Sequence, residues 1–140
     1  MKITLKILKE KKACVAGVEW FKEKYKEKDS DLKITVSDLM KEDLFIWANW
    51  LVTRLVDKSQ RVAYAIFAAE QVIGFFEKKY PEDKRPRKAI EAAKDYLKDP
   101  SDKNKAAAYA AAYAAADAAK KDVQVNILNY GIKLLENKDA

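Results

Sequence analysis

Apolar residues recur at Cys14, Val18, Phe21 and Tyr25. This i, i+4, i+7, i+11 spacing predicts an amphipathic helix over residues 14–28, with Lys and Glu on its wet face. On that stripe Cys14 reads as a small buried hydrophobe rather than a nucleophile. A charged loop runs to Asp29-Ser30-Asp31, after which Thr35 or Ser37 is placed to cap a helix beginning over residues 36–40. Residues 43–57 carry Leu44, Phe45, Ile46, Trp47, Trp50, Leu51, Val52, Leu55 and Val56. These cover most of a helix circumference, so this helix is expected to be central. Ser59 is the candidate N-cap of the next, whose stripe is Val62, Ile66, Ala69, Ile73, Phe76 and Tyr80. Tyr64, Phe67 and Phe75 load its other sides, which predicts a helix over 60–79 that is mostly covered. Pro81 stops it, and Pro86 sits in the first turn of another, with Ala89, Ala93 and Tyr96 facing inward. Asp99-Pro100-Ser101 ends that one.

Residues 106–119 hold eleven Ala, two Tyr and one Asp, an extreme helix-forming composition. Tyr109, Tyr113, Asp117 and Lys121 are spaced by four and share one side, and alanines cover the rest. Val123, Ile127, Tyr130 and Leu134 carry the stripe onward, so residues 102–137 form one long helix or two joined near residues 120–122. Only Ile3–Leu8 could be a strand, and it reads equally as a helical turn. The expected fold is all-α. It is a single-domain bundle of five to seven helices over residues 1–140, with a long Ala-rich C-terminal helix or helix pair.

Composition removes several function classes. The 140 residues include no His, which excludes Ser-His-Asp and Cys-His nucleophile sites, His-ligated zinc and a histidine proton shuttle. A single Cys leaves no intramolecular disulfide and no Cys-rich metal site. Gly17, Gly74 and Gly131 are isolated, so there is no phosphate-cradling loop. The chain carries a net +6, which favours anionic partners. That surplus is uneven, with nine Lys against four Glu over residues 1–28 and nine bases against six acids over 59–98. No leader-like start and no membrane-spanning apolar run is evident, so the cytoplasm is the expected location and no membrane partner is expected.

The segment Lys84-Arg85-Pro86-Arg87-Lys88 places four cations around a helix start. Cations oppose the positive end of the helix dipole there, whereas an anion would be welcomed by its free N–H groups. The segment is therefore a candidate anion site, and Tyr80 lies just before it. The plainer alternative has Glu82 and Asp83 neutralising the cluster and Arg87 pairing with Glu91 at i+4. Trp47 and Trp50 lie on one side of their helix with Arg54 four residues beyond Trp50. They read either as core or as a platform on which a base stacks while Arg54 reaches a phosphate. Glu70 and Glu77 interrupt apolar stretches and are expected to pair with Arg54, Arg61 or the basic segment. No catalytic residue, metal site or cofactor is expected.

Several stretches also resemble a known family. Thr4-Leu5-Lys6-Ile7-Leu8, Ala13-Cys14 and Gly17-Val18-Glu19-Trp20-Phe21 are similar to the opening of small bacterial and phage proteins labelled "putative immunity protein". The similarity continues through Trp47-Ala48-Asn49-Trp50-Leu51 and Arg54-Leu55, and is most specific from Tyr80 to Ala93. The resemblance implies a helical, non-enzymatic protein with a role in conflict between bacteria or between phage and host. Immunity proteins that neutralise nucleases are commonly acidic, and this basic chain departs from that pattern.

The expected function is thus a binding and sequestering role. The first reading is a nucleotide-like, phosphate-bearing ligand held by Lys84, Arg85, Arg87, Lys88, Arg54, Trp47, Trp50 and Tyr80. The second is an inhibitor docking an acidic face of a protein toxin or defence effector, and the third a nucleic-acid-binding module using the lysines of residues 2–28. Assembly as a homo-oligomer is left open.

Overall fold

The computed structural model describes residues 1–99 and 121–137. Among them are seven helices and one two-stranded ribbon, the all-α architecture that the periodicity predicts. The alanine tract with Tyr109, Tyr113 and Asp117, and the choice between one helix and two over 102–137, lie outside the described residues. The chain divides into two compact units, Met1–Leu55 with the residues from Leu135 on, and Val56–Leu134.

The first unit begins with β1 (Lys2–Ile3), which pairs antiparallel with β2 (Ser30–Asp31), Lys2 opposite Asp31 and Ile3 opposite Ser30. The stretch read as strand or helical turn is both. Thr4 ends the strand and caps α1 (Leu5–Glu10), its hydroxyl accepting the Ile7 N–H at 3.1 Å.

Helix α2 (Val15–Tyr25) starts at Cys14, which is exposed and serves as N-cap, its sulfur accepting the Gly17 N–H at 3.4 Å. The expectation of a buried Cys14 is therefore wrong. The stripe is real at Val18 and Phe21, but the residue opening it lies before the first helical turn and faces solvent. The helix stops at Lys26, which adopts the left-handed conformation with φ 51°.

Helix α3 (Leu32–Lys41) is capped by Asp31, whose carboxylate accepts the Lys33 N–H at 2.9 Å. Neither Thr35 nor Ser37 caps it. Thr35 lies inside the helix, buried, with its hydroxyl donating to the Asp31 carbonyl. The earlier start follows from Leu32, which is buried and extends the apolar face by a turn.

Helix α4 (Phe45–Leu55) packs on α3 through Ala48, Leu51 and Val52. It is not buried all round. Ile46 is 84% exposed, and Trp47 and Trp50 are half-buried, all three beside a cavity that α3 also lines.

In the second unit α5 (Lys58–Lys79) is capped by Asp57 rather than Ser59. Asp57 accepts the Gln60 N–H at 2.8 Å while the Gln60 side chain accepts the Asp57 N–H at 3.0 Å, a reciprocal capping box. The Gln60 amide also donates to the Leu134 carbonyl at 2.7 Å. Helix α5 ends at Tyr80, before Pro81, and α6 (Arg85–Lys98) starts with Pro86 in its first turn. The two pack against each other through Ile66, Ala69, Ile73, Ile90 and Ala93. The ion pairs Glu77–Arg87 and Glu70–Lys94 step in opposite directions along the two helices, so these run antiparallel.

Helix α7 (Lys121–Glu136) buries Ile127, Leu128 and Ile132. Its Tyr130 ring stacks on Phe67 with centroids 4.2 Å apart. Phe75 is 64% exposed, so the expectation that it helps cover α5 fails at this position. The tyrosine and phenylalanine at 64 and 67 find partners or burial on the covered side, and Phe75 does not share that side.

Candidate functional site

The predicted site residues fall in two places. Trp47, Trp50 and Arg54 belong to α4 in the first unit, whereas Tyr80, Lys84, Arg85, Arg87 and Lys88 belong to the second.

At the basic segment the chain supplies its own anions. Asp83 accepts the Arg85 backbone N–H at 3.1 Å and takes both arms of its guanidinium, at 2.9 and 2.6 Å. Helix α6 has no side-chain cap from its N-cap residue Lys84. Asp83 thus places a carboxylate at the positive end of the helix, where the dipole favours it. Arg87 reaches across to Glu77 of α5 with both nitrogens, not to Glu91. The i+4 partner loses because Glu77 accepts two hydrogen bonds in fork geometry, which a same-face helical pair rarely matches. Lys84 and Lys88 make no ion pair among the described residues. Tyr80 packs on Phe76 and carries the Lys79 ammonium 5.5 Å above its ring. Glu77 pairs with the basic segment, as expected, whereas Glu70 pairs with Lys94, 2.5 Å away.

These pairings shift the acids downward. Hydrogen bonds from Arg85 hold the Asp83 carboxyl at about 2, and Arg87 lowers Glu77. Glu42 is lowered in the same way by Lys24 and the Trp20 N–H. A carboxylate depressed in the folded state stabilises the fold above its unfolded value of about 4, and that contribution is lost as pH falls through the folded value. Melting temperatures measured from pH 7 downward should stay flat to about pH 5 and then fall, with the Asp83 contribution vanishing last, near pH 2. In Glu77→Gln the fall should be shallower, and an identical profile in that variant would show that the Arg87 pair contributes nothing.

The first unit holds a cavity of about 270 Å³. Trp20 and Phe21 from α2, Leu39 from α3, and Ile46, Trp47, Trp50 and Leu51 from α4 wall it, with Leu8, Lys12, Ala13, Cys14, Gly17 and Thr35 completing the lining. The Trp20 indole N–H donates to Glu42 at 2.8 Å, and Lys24 binds the other oxygen of the same carboxylate at 2.6 Å. This anchors Trp20 by its polar edge and leaves its ring as wall. Tyr25 packs edge-on against it, 6.0 Å away, and donates to Asp38.

Trp47 and Trp50 behave differently. Neither indole N–H has a hydrogen-bond partner among the described residues, and no buried polar atom is left unsatisfied, so both donors reach solvent. The Arg54 guanidinium carbon stands 5.8 Å from the Trp50 ring centroid, a cation–π arrangement. The i, i+4 spacing from Trp50 to Arg54 thus brings the pair together. Of the two, only Trp50 belongs to the cavity lining.

Of the lining, the sequence placed only Trp47 and Trp50 in a site, and three of the members it missed are instructive. Gly17 forms part of the lining because a Cβ there would meet only the Cys14 sulfur, at 3.4 Å. Lys12, in the left-handed conformation with φ 61°, brings the one charge in the lining. Ile46 is apolar yet exposed at the edge. The available signal was the crowding of three indoles in 140 residues.

Among the described residues no group of three or more His, Cys, Asp or Glu is arranged to hold a metal ion. Nor is any helix there long and apolar enough to cross a membrane.

Among the described residues, fold and site together define an all-α protein with an open, aromatic-walled cavity. Residues 51–101 match the model of a family described as "Imm-5 like putative immunity protein", the family that the sequence resembles. The matched stretch contains the end of α4, all of α5, the basic segment and α6, and of the cavity lining it includes only Leu51. Neither the curated proteins nor the solved structures contain a match.

Proposed function

We propose that this chain is a non-enzymatic immunity-type protein that binds a protein partner through the tryptophan-walled cavity of its first unit. The observation carrying this reading is the cavity itself, about 270 Å³, with apolar walls and an exposed aliphatic edge at Ile46. Val15, next to Cys14 in the chain, is a further 80% exposed. Exposed aliphatic side chains beside a concave aromatic surface are a recurrent feature of interaction sites. The family match supports the immunity role. The arginines of the basic segment support it indirectly, being already engaged by Asp83 and Glu77.

The test is neutralisation. The chain is co-expressed with the toxic protein or defence effector encoded beside its gene, and growth is scored. Growth is expected to be restored by the wild type and not by a folded Gly17→Leu variant, whose side chain enters the cavity. Absence of rescue by the wild type overturns the immunity reading, and full rescue by Gly17→Leu overturns the cavity as its site.

A second reading rests on Lys84 and Lys88, two cations at the start of α6 without ion pairs among the described residues. They would hold the phosphate of a nucleotide-like ligand, as a sequestering protein in phage counter-defence would require. A thermal-shift series with nucleoside triphosphates tests it. Bound ligand raises apparent stability by RT ln(1 + [L]/Kd), about 2.7 kcal/mol at a hundredfold excess over Kd. A rise present in the wild type and lost in the Lys84→Glu, Lys88→Glu double variant would establish this site in place of the cavity.

A further inference from the structure

We infer that the cavity of the first unit receives an acidic segment of the partner protein that inserts one aromatic side chain, its carboxylates meeting Lys12 and the indole N–H groups of Trp47 and Trp50. This rests on the proposed binding role and names what the partner presents.

Three observations carry it. The first is polarity. Lys12 is the only charged residue in the lining, and no acidic side chain is among the lining residues. Thr35, also in the lining, spends its hydroxyl on the Asp31 carbonyl. Trp47 and Trp50, both lining residues, carry indole N–H groups without partners among the described residues. Both donors are open to solvent in the free protein and are thus available to an incoming acceptor, so the polar groups of these lining residues are donors rather than acceptors.

The second is the surrounding charge. Lys9, Lys11 and Lys12 make no ion pair among the described residues, and the nearby Glu10 is already engaged, 4.0 Å from Lys6. The turn between α1 and α2 is therefore a cationic lip, which attracts an anionic chain and repels a basic one. Glu42, which is not a lining residue, is neutralised by Lys24 and also accepts the Trp20 indole N–H.

The third is size and extent. A volume of about 270 Å³ is at the lower end of the range of about 300–1,000 Å³ typical of small-molecule pockets. It suits a single aromatic side chain. Ile46 carries apolar surface outward from it, and an occupant confined to the cavity would leave that surface uncovered. A peptide chain that anchors one ring and lies across the edge covers both, in the manner of a hot-spot side chain surrounded by a rim.

The test uses defined peptides and the single cysteine of the chain as reporter, since Cys14 is exposed and lies in the lining. The full-length protein is treated with N-ethylmaleimide in the presence of acetyl-Asp-Asp-Phe-Asp-Asp-amide. Alkylation of Cys14 should slow at least about fivefold, saturably, and intrinsic tryptophan fluorescence should change over the same concentration range. Lys12→Glu should weaken the apparent affinity about tenfold or more, because a charge-assisted contact becomes a repulsion. Raising the salt should weaken it as well.

The peptide with Ala in place of Phe, and the one with Lys in place of every Asp, should protect far less. Equal protection by the Lys peptide overturns the charge assignment, and equal protection by the Ala peptide overturns the aromatic anchor. Protection by phenylacetate as strong as that by the Asp-Phe peptide makes this a small-molecule site and overturns the segment. Failure of every peptide alongside loss of neutralisation in Gly17→Leu would sink this inference while leaving the cavity as the binding site.

Discussion

Phe21→Ala is expected to lower the stability of the chain by about 3–5 kcal/mol, the usual cost of removing a large aromatic side chain from a core. Phe21 is 1% exposed, the largest side chain among those almost wholly buried. It lies on the inner face of α2, 4.9 Å from the Tyr25 ring. Two terms add. The transfer free energy of the ring is lost, and the neighbours cannot close the gap because Leu39, Leu51 and Trp20 are already held around a standing cavity. The hole would join that cavity rather than collapse. Against a total of about 5–15 kcal/mol for a domain of this size, the loss takes a large share of the stability. Urea unfolding followed by tryptophan fluorescence reads it as a lower midpoint at unchanged slope. A variant within about 1 kcal/mol of the wild type would mean that α2 does not depend on this ring. Phe21→Leu, which leaves a smaller gap, should lose distinctly less.

The second large effect is functional and comes with little cost to the fold. Gly17 occupies the third position of α2, and the nearest atom a Cβ there would meet is the Cys14 sulfur, at 3.4 Å. Its backbone is not in the left-handed region, so an L side chain fits without strain. Leucine also replaces the weakest ordinary helix former with one of the best, a gain of about 0.8 kcal/mol by propensity. Gly17→Leu should therefore melt close to the wild type or slightly above it. Its side chain, however, enters the space between Trp20, Trp47 and Leu51. An occupant that buries a ring there would lose its seat, and affinity should fall at least about a hundredfold, the equivalent of about 2.7 kcal/mol. The pair of measurements, melting temperature and neutralisation, separates this outcome from simple unfolding. Gly17→Ala serves as the matched control, since one methyl group leaves most of the space open.

Much of the helical framework was legible in the sequence because it is local. A repeat of apolar groups every three to four residues has one low-energy arrangement that hides them, and Pro81 and Pro86 interrupt the hydrogen-bond ladder wherever they fall. The stops of α5, the start of α6 and the burial of Ile66, Ala69 and Ile73 follow from those facts alone. The contact of Arg54 with Trp50 is equally local, a consequence of residues four apart sharing a helix face.

What the tertiary structure decided are choices between near-equal local options. Asp31 caps in place of Thr35 and Ser37 because burial of Leu32 sets where α3 can begin, whereas Asp57 caps in place of Ser59 through a local reciprocal bond with Gln60 that the sequence already carries. Arg87 takes Glu77 over Glu91 because packing of α6 against α5 delivers a carboxylate in fork geometry. Cys14 sits on an apolar stripe and is still exposed, since it precedes the first helical turn. The cavity belongs to the same class. Periodicity states which residues avoid water, and it left Trp47 and Trp50 readable either as core or as a stacking platform. It does not state whether neighbouring helices fill the space between them. That depends on the summed volume of side chains drawn from α1, α2, α3 and α4, and here the small residues Ala13 and Gly17 leave the space open.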